Sequence, residues 1–198
     1  MVVFLIMDRT LRFNSNNMIF FVYFFIFYNI MNSKTGHNIK KRNKANDVFI
    51  TPLTLAKKHI DMIEYKDDDI WYDPFKNSGN YYNQFPNDNK VWSEILEGED
   101  FFDFNMEVDI ICSNPPYSMI NEVLSKCISL KPRVISLLIG QGNLTTKRIE
   151  NMNKAGYGLY KLRMLKVHDW YGMSYIVHFE KDKENCVEID RTIYYREN

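Results

Sequence analysis

Val108-Asp109-Ile110-Ile111-Cys112-Ser113-Asn114-Pro115-Pro116-Tyr117 is the stretch on which the reading of this chain turns. Its first five residues are almost continuously apolar, the character of a strand covered on both faces, as strands of parallel sheets are. The strand then stops abruptly. Each X-Pro bond holds the residue before it extended, and neither proline offers an N–H, so the run is a stiff ledge whose carbonyls remain free acceptors. A ledge directly after a buried strand stands where open α/β sheets form their ligand crevice.

Outward from this strand the chain alternates. Downstream, the pattern predicts a helix from about Ser118 to Ser129 and an apolar strand from Val134 to Ile139. A helix from Leu144 to Lys154 closed by Gly156 comes next, then two long strands, Leu159 to Val167 and Ser174 to Phe179. Upstream lie a strand at Val91 to Ile95, a marginal one at Phe101 to Phe104, and a short one at Ile70 to Tyr72 that runs into a Gly-containing turn. Before them, Thr51 suits a helix cap and Pro52 the first helical position, with Leu53, Ala56, Ile60 and Ile63 on one stripe. The whole reads as a doubly wound α/β domain ending in an antiparallel hairpin.

The 198 residues suffice for one such domain. Basic and acidic residues number 25 each, which excludes a histone-like polybasic binder and leaves any polyanion to a local patch. The charge is nevertheless sorted along the chain. Residues 59–110 carry 3 basic and 14 acidic side chains, residues 111–198 carry 13 and 9, and residues 31–58 carry 7 and 1. Three cysteines, Cys112, Cys127 and Cys186, with no Cys-x-x-Cys, supply neither a disulfide framework nor a zinc site, so no metal is expected and the chain reads as a reducing-compartment, cytoplasmic protein.

Residues 18–31 form an apolar run of 14 residues preceded by Arg9 and Arg12. A membrane span needs roughly 20 apolar residues, and Asn29 and Asn32 interrupt this run first. The expectation is a soluble domain over 46–198, with residues 1–45 an apolar stretch and basic linker outside the fold. Translation from Met31 accounts for that division, and membrane anchoring by 18–31 is the alternative.

Two constellations carry chemistry. In Asp73-Pro74-Phe75-Lys76-Asn77-Ser78-Gly79, a carboxylate at a strand end can accept from an ammonium group while the small-residue turn lets the backbone approach a ligand. An ordinary Asp-Pro turn is the alternative. In Asn114-Pro115-Pro116-Tyr117, an amide oxygen and outward carbonyls stand beside a flat ring, which suits a planar substrate bearing an NH2. The nitrogen of such a group is a poor nucleophile because its lone pair is delocalised. Two acceptors gripping its N–H bonds favour a pyramidal nitrogen and aim the lone pair, which is catalysis by orientation. The alternative is a strand-terminating proline turn.

The order Thr51-Pro52-Leu53, Asp73-Pro74-Phe75 with Gly79, then Asn114-Pro115-Pro116-Tyr117 resembles the S-adenosylmethionine-dependent amino-methyltransferases, most closely the adenine-specific (N6) DNA methyltransferases of phage and viral type. The resemblance covers roughly Asn46 to Phe179. It implies a seven-stranded, mostly parallel sheet with helices on both faces, S-adenosyl-L-methionine as cofactor, and DNA as partner. It assigns Asp73, Phe75 and Gly79 to the cofactor's methionine end, with Phe49, Thr51 and Pro52 closing over it. Glu94 falls to the ribose hydroxyls and Asp100 and Phe101 to the cofactor's adenine. Asn114, Pro115, Pro116 and Tyr117 form the catalytic tetrapeptide, with Tyr117 stacking on a flipped base. Trp170 or Tyr171, near the last hairpin, completes a stacking sandwich.

The chain departs from the family at Asn77, where a glycine is usual, although Asn tolerates positive φ. Only about 16 residues separate Tyr117 from Val134, which leaves no room there for a target-recognition domain, so site choice is expected from loops or a recognition partner. Methylation of RNA or of a protein glutamine, which the same tetrapeptide serves, and a degenerate subunit assisting a partner enzyme remain as alternatives. Lys40 to Lys44, Lys147, Arg148 and Lys154 are candidate phosphate contacts, with solvated surface charge the plainer reading.

Overall fold

The apolar run around Ile110 lies inside a six-stranded sheet in the computed structural model, which describes residues 49–168, 170 and 172–190. The expectations for residues 1–48, including the apolar run and the basic linker, fall outside these residues, as does Tyr171. Among the described residues no helix is long and apolar enough to cross a membrane.

The strands are β1 (Trp71–Asp73), β2 (Lys90–Trp92), β3 (Ile110–Ser113), β4 (Val134–Gly140), β5 (Tyr157–Leu165) and β6 (Ser174–Lys181). Among the described residues three α-helices accompany them: α1 (Leu53–Ile60), α2 (Ile120–Ser129) and α3 (Thr146–Lys154). The sheet order is β2-β1-β3-β4-β6-β5, parallel from β2 to β4, with β6 antiparallel to both β4 and β5. The expected doubly wound pattern with a terminal antiparallel hairpin is therefore present.

Alternation along the strands sorts the core into two layers. Trp71, Ile110, Cys112 and Val134 join Ala56 and Ile60 of α1, while Tyr72, Ile111, Ile135 and Leu137 join Val123 and Cys127 of α2 and Ile149 and Met152 of α3. Ile110 and Ile111 are adjacent, point to opposite layers and are both fully buried. Each contributes about 1.5–3 kcal/mol of transfer free energy. Continuous hydrophobicity in β3 thus reflects two covered faces.

The strand expected at Phe101 to Phe104 is a turn, and among the described residues the sheet has six strands where the resemblance implied seven. Asp100 is responsible: its Oδ1 accepts the Phe102 N–H at 2.9 Å, and the Asp103 and Phe104 N–H groups bond back to the carbonyls of Asp100 and Phe101. The rings then fold inward. Phe104 stacks on Tyr72 with centroids 4.1 Å apart, and Phe101 meets the edge of Phe75 at 5.1 Å. The aromatic content that looked strand-like belongs to core packing at the sheet's edge.

Helix α1 also differs in detail. Pro52 occupies the N-cap position without a side-chain cap, and Thr51 lies just outside the helix. Leu53 is exposed, and the buried face contains Ala56, His59 and Ile60. His59 is drawn inward because both ring nitrogens find hydroxyls: Nδ1 is hydrogen-bonded to Tyr81 Oη (2.9 Å) and Nε2 to Ser136 Oγ of β4 (2.8 Å). Burial, with the neighbouring His178 and Arg163, pushes its pKa down to about 3, so the imidazole is neutral at physiological pH.

Past β6 the chain runs back against β5: Leu159 donates its N–H to Asn185 Oδ1 and accepts from the Cys186 N–H. Gly158 makes this approach possible, because a Cβ there would overlap the Lys183 carbonyl oxygen. Gly158→Ala is expected to destabilise the fold by about 2 kcal/mol through overpacking. In a thermal unfolding scan its Tm should fall by several degrees. Gly142→Ala, whose Cβ meets nothing within 4 Å, should leave Tm unchanged.

Candidate functional site

Strand β1 delivers Asp73, fully buried, to the sheet's carboxyl edge. Its Oδ1 accepts the Ser113 hydroxyl of β3 at 2.6 Å and, at 3.3 Å, the Phe75 N–H; Oδ2 is buried and makes no hydrogen bond. Burial pushes the pKa up to about 7, opposed chiefly by the Ser113 hydroxyl. A carboxylate with one oxygen anchored and the other idle is an acceptor awaiting a donor.

The loop after Asp73 is shaped by left-handed residues. Asn77 has φ +48° and Gly79 φ +80°; at Gly79 a Cβ would stand 2.8 Å from Asn83 Nδ2. Asn77 adopts the conformation for which a glycine is usual. Its N–H donates to Glu94 Oε2 at 2.8 Å, while Glu94 Oε1 accepts the Leu96 N–H at 3.2 Å. Glu94 thus ties the loop of β1 to the segment after β2. β2 ends at Trp92, three residues earlier than expected, because Glu94 caps a 3-10 turn over Ile95–Glu97.

Strand β3 delivers Asn114, whose Nδ2 donates to the Phe49 carbonyl at 3.2 Å and whose buried Oδ1 makes no hydrogen bond. Pro115 and Pro116 are buried and their peptide bonds are trans. The Tyr117 ring lies against Gly140 at the end of β4, where a Cβ would stand 3.2 Å from Cε2. Tyr117, Phe49 and Trp170 share an open cavity of about 530 Å³ with Gln141 and Met173. The Phe49 and Trp170 rings are 5.4 Å apart and tilted by 55°.

Phe49, Thr51 and Phe75 meet Asn77, Asn114 and Pro116 around a narrow cleft of about 20 Å³. That is room for little more than a water molecule. A larger ligand can enter only if the segment at Phe49–Thr51 and the loop part. Two other residues expected at the cofactor lie away from this cleft. Pro52 faces a separate cleft with Lys58 and Arg163, and Phe101, 2% exposed, has its ring inside the core. Asp100 stays at the edge as the cap of its own turn.

Other side chains came to light only in three dimensions. Gly140, Gln141 and Met173 line the aromatic cavity, and the Tyr81–His59–Ser136 chain lies beneath the loop. The phosphate candidates on α3 are engaged. Lys147 and Lys154 pair with Glu150, and Arg148 donates to Asn121 Oδ1 and the Asn143 carbonyl.

No family model and no curated protein matches the chain. Its fold is nevertheless shared with solved structures. The 23S rRNA methyltransferase ErmE aligns at 10% identity with a TM-score of 0.52, covering 71% of this chain and 72% of that one. The Mtq2–Trm112 complex of E. cuniculi, responsible for methylation of the eRF1 termination factor, aligns at 16% identity and 0.50, covering 69% and 99%. A protein from Vibrio vulnificus YJ016 described as a modification subunit of a type I restriction enzyme aligns at 11% and 0.51, covering 89% and 52%. The fold is the Rossmann-like one of methyltransferases.

Asp73 makes the stability of the ligand-free protein pH-dependent. Its pKa is raised from 3.8 to about 7 on folding, so between these values the folded state holds a proton that the unfolded state has lost. Its contribution to stability therefore falls as pH rises through that window, by up to about 1.4 kcal/mol per pH unit. Asp73→Asn should lack this term, so the Tm difference between variant and parent should shift in the variant's favour from pH 5 to pH 8. A constant difference would refute the assignment.

Proposed function

We propose that this chain transfers the methyl group of S-adenosylmethionine to the exocyclic N6 amine of adenine in DNA. The observation that carries the reading is Asn114 Oδ1: a buried acceptor without a partner, set on a ledge of prolines that cannot donate, in the narrow cleft whose wall Phe49 is shared with the cavity lined by Tyr117 and Trp170. An acceptor so placed selects a planar group that brings N–H bonds and an aromatic face.

The donor and acceptor set near Asp73 suits the cofactor. Asp73 Oδ2 would receive its ammonium group, Glu94 the ribose hydroxyls, and Asp100 with the backbone of Phe101 its adenine. When bound, S-adenosylmethionine supplies an electrophilic methyl group. Asn114 Oδ1 and the Pro115 carbonyl would each accept one N–H of the target amine, fixing its orientation and favouring a pyramidal nitrogen. Tyr117 would stack on one face of the base, with Trp170 across the cavity. Orientation and electrostatics supply the rate enhancement, and the amine's proton leaves to water without a dedicated strong base.

A second reading keeps the acceptors and changes the substrate to RNA or a protein glutamine, since a carboxamide is equally planar. The aromatic walls of the cavity favour a base. A recognition partner for site choice belongs to either reading.

The full chain should transfer label from tritiated S-adenosylmethionine to DNA as N6-methyladenine when unmethylated DNA, RNA and a protein extract are offered in parallel. Label in RNA or protein alone would replace the substrate. Asn114→Ala should lower methyl transfer by at least about 100-fold, the loss typical of an oriented hydrogen-bonding group, while cofactor affinity measured by calorimetry stays within about twofold. Undiminished transfer by this variant would overturn the mechanism.

A further inference from the structure

Beside the aromatic cavity lies a second cleft, of about 410 Å³, to which the mechanism above assigns no role. Lys58 of α1, Arg163 of β5, and Lys166 and His168 just beyond β5 supply its polar wall, with Pro52 and Leu165 among its apolar residues; among the described residues no carboxylate lines it. In a chain whose acidic and basic residues are equal in number, such one-signed lining is informative.

The partners of these cations sharpen the point. Elsewhere Lys57 pairs with Asp61, Lys76 with Glu97, Arg133 with Asp69, and Lys161 with Glu64. In the cleft, Lys58 and Arg163 meet no carboxylate among the described residues, and Arg163 gives one long hydrogen bond, 3.4 Å, to the Lys58 carbonyl. Lys166 Nζ donates to the carbonyls of Trp170 and Gly172, so it holds the loop that carries Trp170. Two cations, Lys58 and Arg163, that meet no acid among the described residues and stand on apolar walls fit a chain of phosphates joined by sugars better than a free ion.

Position completes the case. The same two segments build both clefts: residues 49–52 place Phe49 in the aromatic cavity and Pro52 in the basic one, and residues 166–173 place Lys166 and His168 in the basic cleft and Trp170 and Met173 in the cavity. A strand lying in the basic cleft would run toward the aromatic cavity along these shared segments. We propose that this cleft binds the phosphodiester backbone of the DNA strand flanking the target base, with Lys58 and Arg163 as phosphate contacts. The proposal rests on the reading of the cavity as a base site.

The test uses the full chain and a fluorescein-labelled single-stranded DNA 12-mer, with RNA of the same sequence and a polyglutamate peptide as comparison probes, in anisotropy titrations across a salt series. Lys58→Gln with Arg163→Gln should weaken DNA binding at least about tenfold at low salt. It should also reduce the log–log salt slope by about 1.4, two contacts at roughly 0.7 each for a single strand. Both side chains are exposed, so Tm should match the parent. Lys147→Gln with Lys154→Gln, whose charges pair with Glu150, should leave the slope unchanged. Parental affinity and slope in the Lys58/Arg163 variant would overturn the proposal, as would polyglutamate or RNA binding more tightly than DNA. Failure of the cleft is separable from failure of the proposed function. DNA methylated by a parent whose binding ignores Lys58 and Arg163 sinks the cleft alone, whereas DNA bound through them and never methylated sinks the reaction.

Discussion

The buried hydrogen bond from Ser113 Oγ to Asp73 Oδ1, 2.6 Å long, is the constraint on which the geometry of the site depends. It joins the carboxyl ends of β1 and β3, the two strands whose following loops carry the candidate chemistry. A one-residue change of register between them would turn one of these side chains to the other face of the sheet. Among the described residues Asp73 has no buried cation beside it, and burial makes its charged form costly, so its pKa rises toward 7. A fold that retains such a carboxyl with Oδ2 idle has kept a polar group that stability alone does not favour.

A second polar chain supports the first from below. Ser136 in β4 holds His59 of α1, and His59 holds the Tyr81 hydroxyl, which also meets the Thr51 side chain. The loop that begins at Asp73 is thereby fixed at both ends, by Ser113 at its start and Tyr81 at its close. A neutral imidazole, one nitrogen donating and the other accepting, satisfies both hydroxyls without charge. Together with the Glu94 bonds to Asn77 and Leu96, these contacts pre-position the backbone that would face a ligand.

Much of this was legible in residue order because it is local. The apolar run before Asn114 marked a strand covered on both faces, and the prolines marked where it stops. Asn77 belongs to a residue type that tolerates positive φ, and its φ is +48°. The failures share a cause. Phe101 to Phe104 carries the composition of a strand, yet one side-chain bond from Asp100 bends it into a turn and the rings fill the core. Leu53 fits a helical stripe, yet the buried face of α1 is rotated toward His59 by hydroxyls 22 and 77 positions away. Propensity reports what a segment prefers alone, and tertiary partners override it where they offer a buried polar group its only satisfaction.

By itself, the sequence determined the alternation of strands and helices, the doubly wound class, and the two strand-end motifs, since each follows from period, burial pattern and proline geometry within a dozen residues. Only the tertiary structure decided that Asp73 and Ser113, 40 positions apart, share a hydrogen bond. It alone placed Lys58 with Arg163 and Lys166. These meetings depend on crossovers and on the register of β4, β5 and β6, set by the sum of many packed contacts. No short stretch of residues encodes that sum, which is why the acceptor on its proline ledge could be read from the chain and the cleft beside it could not.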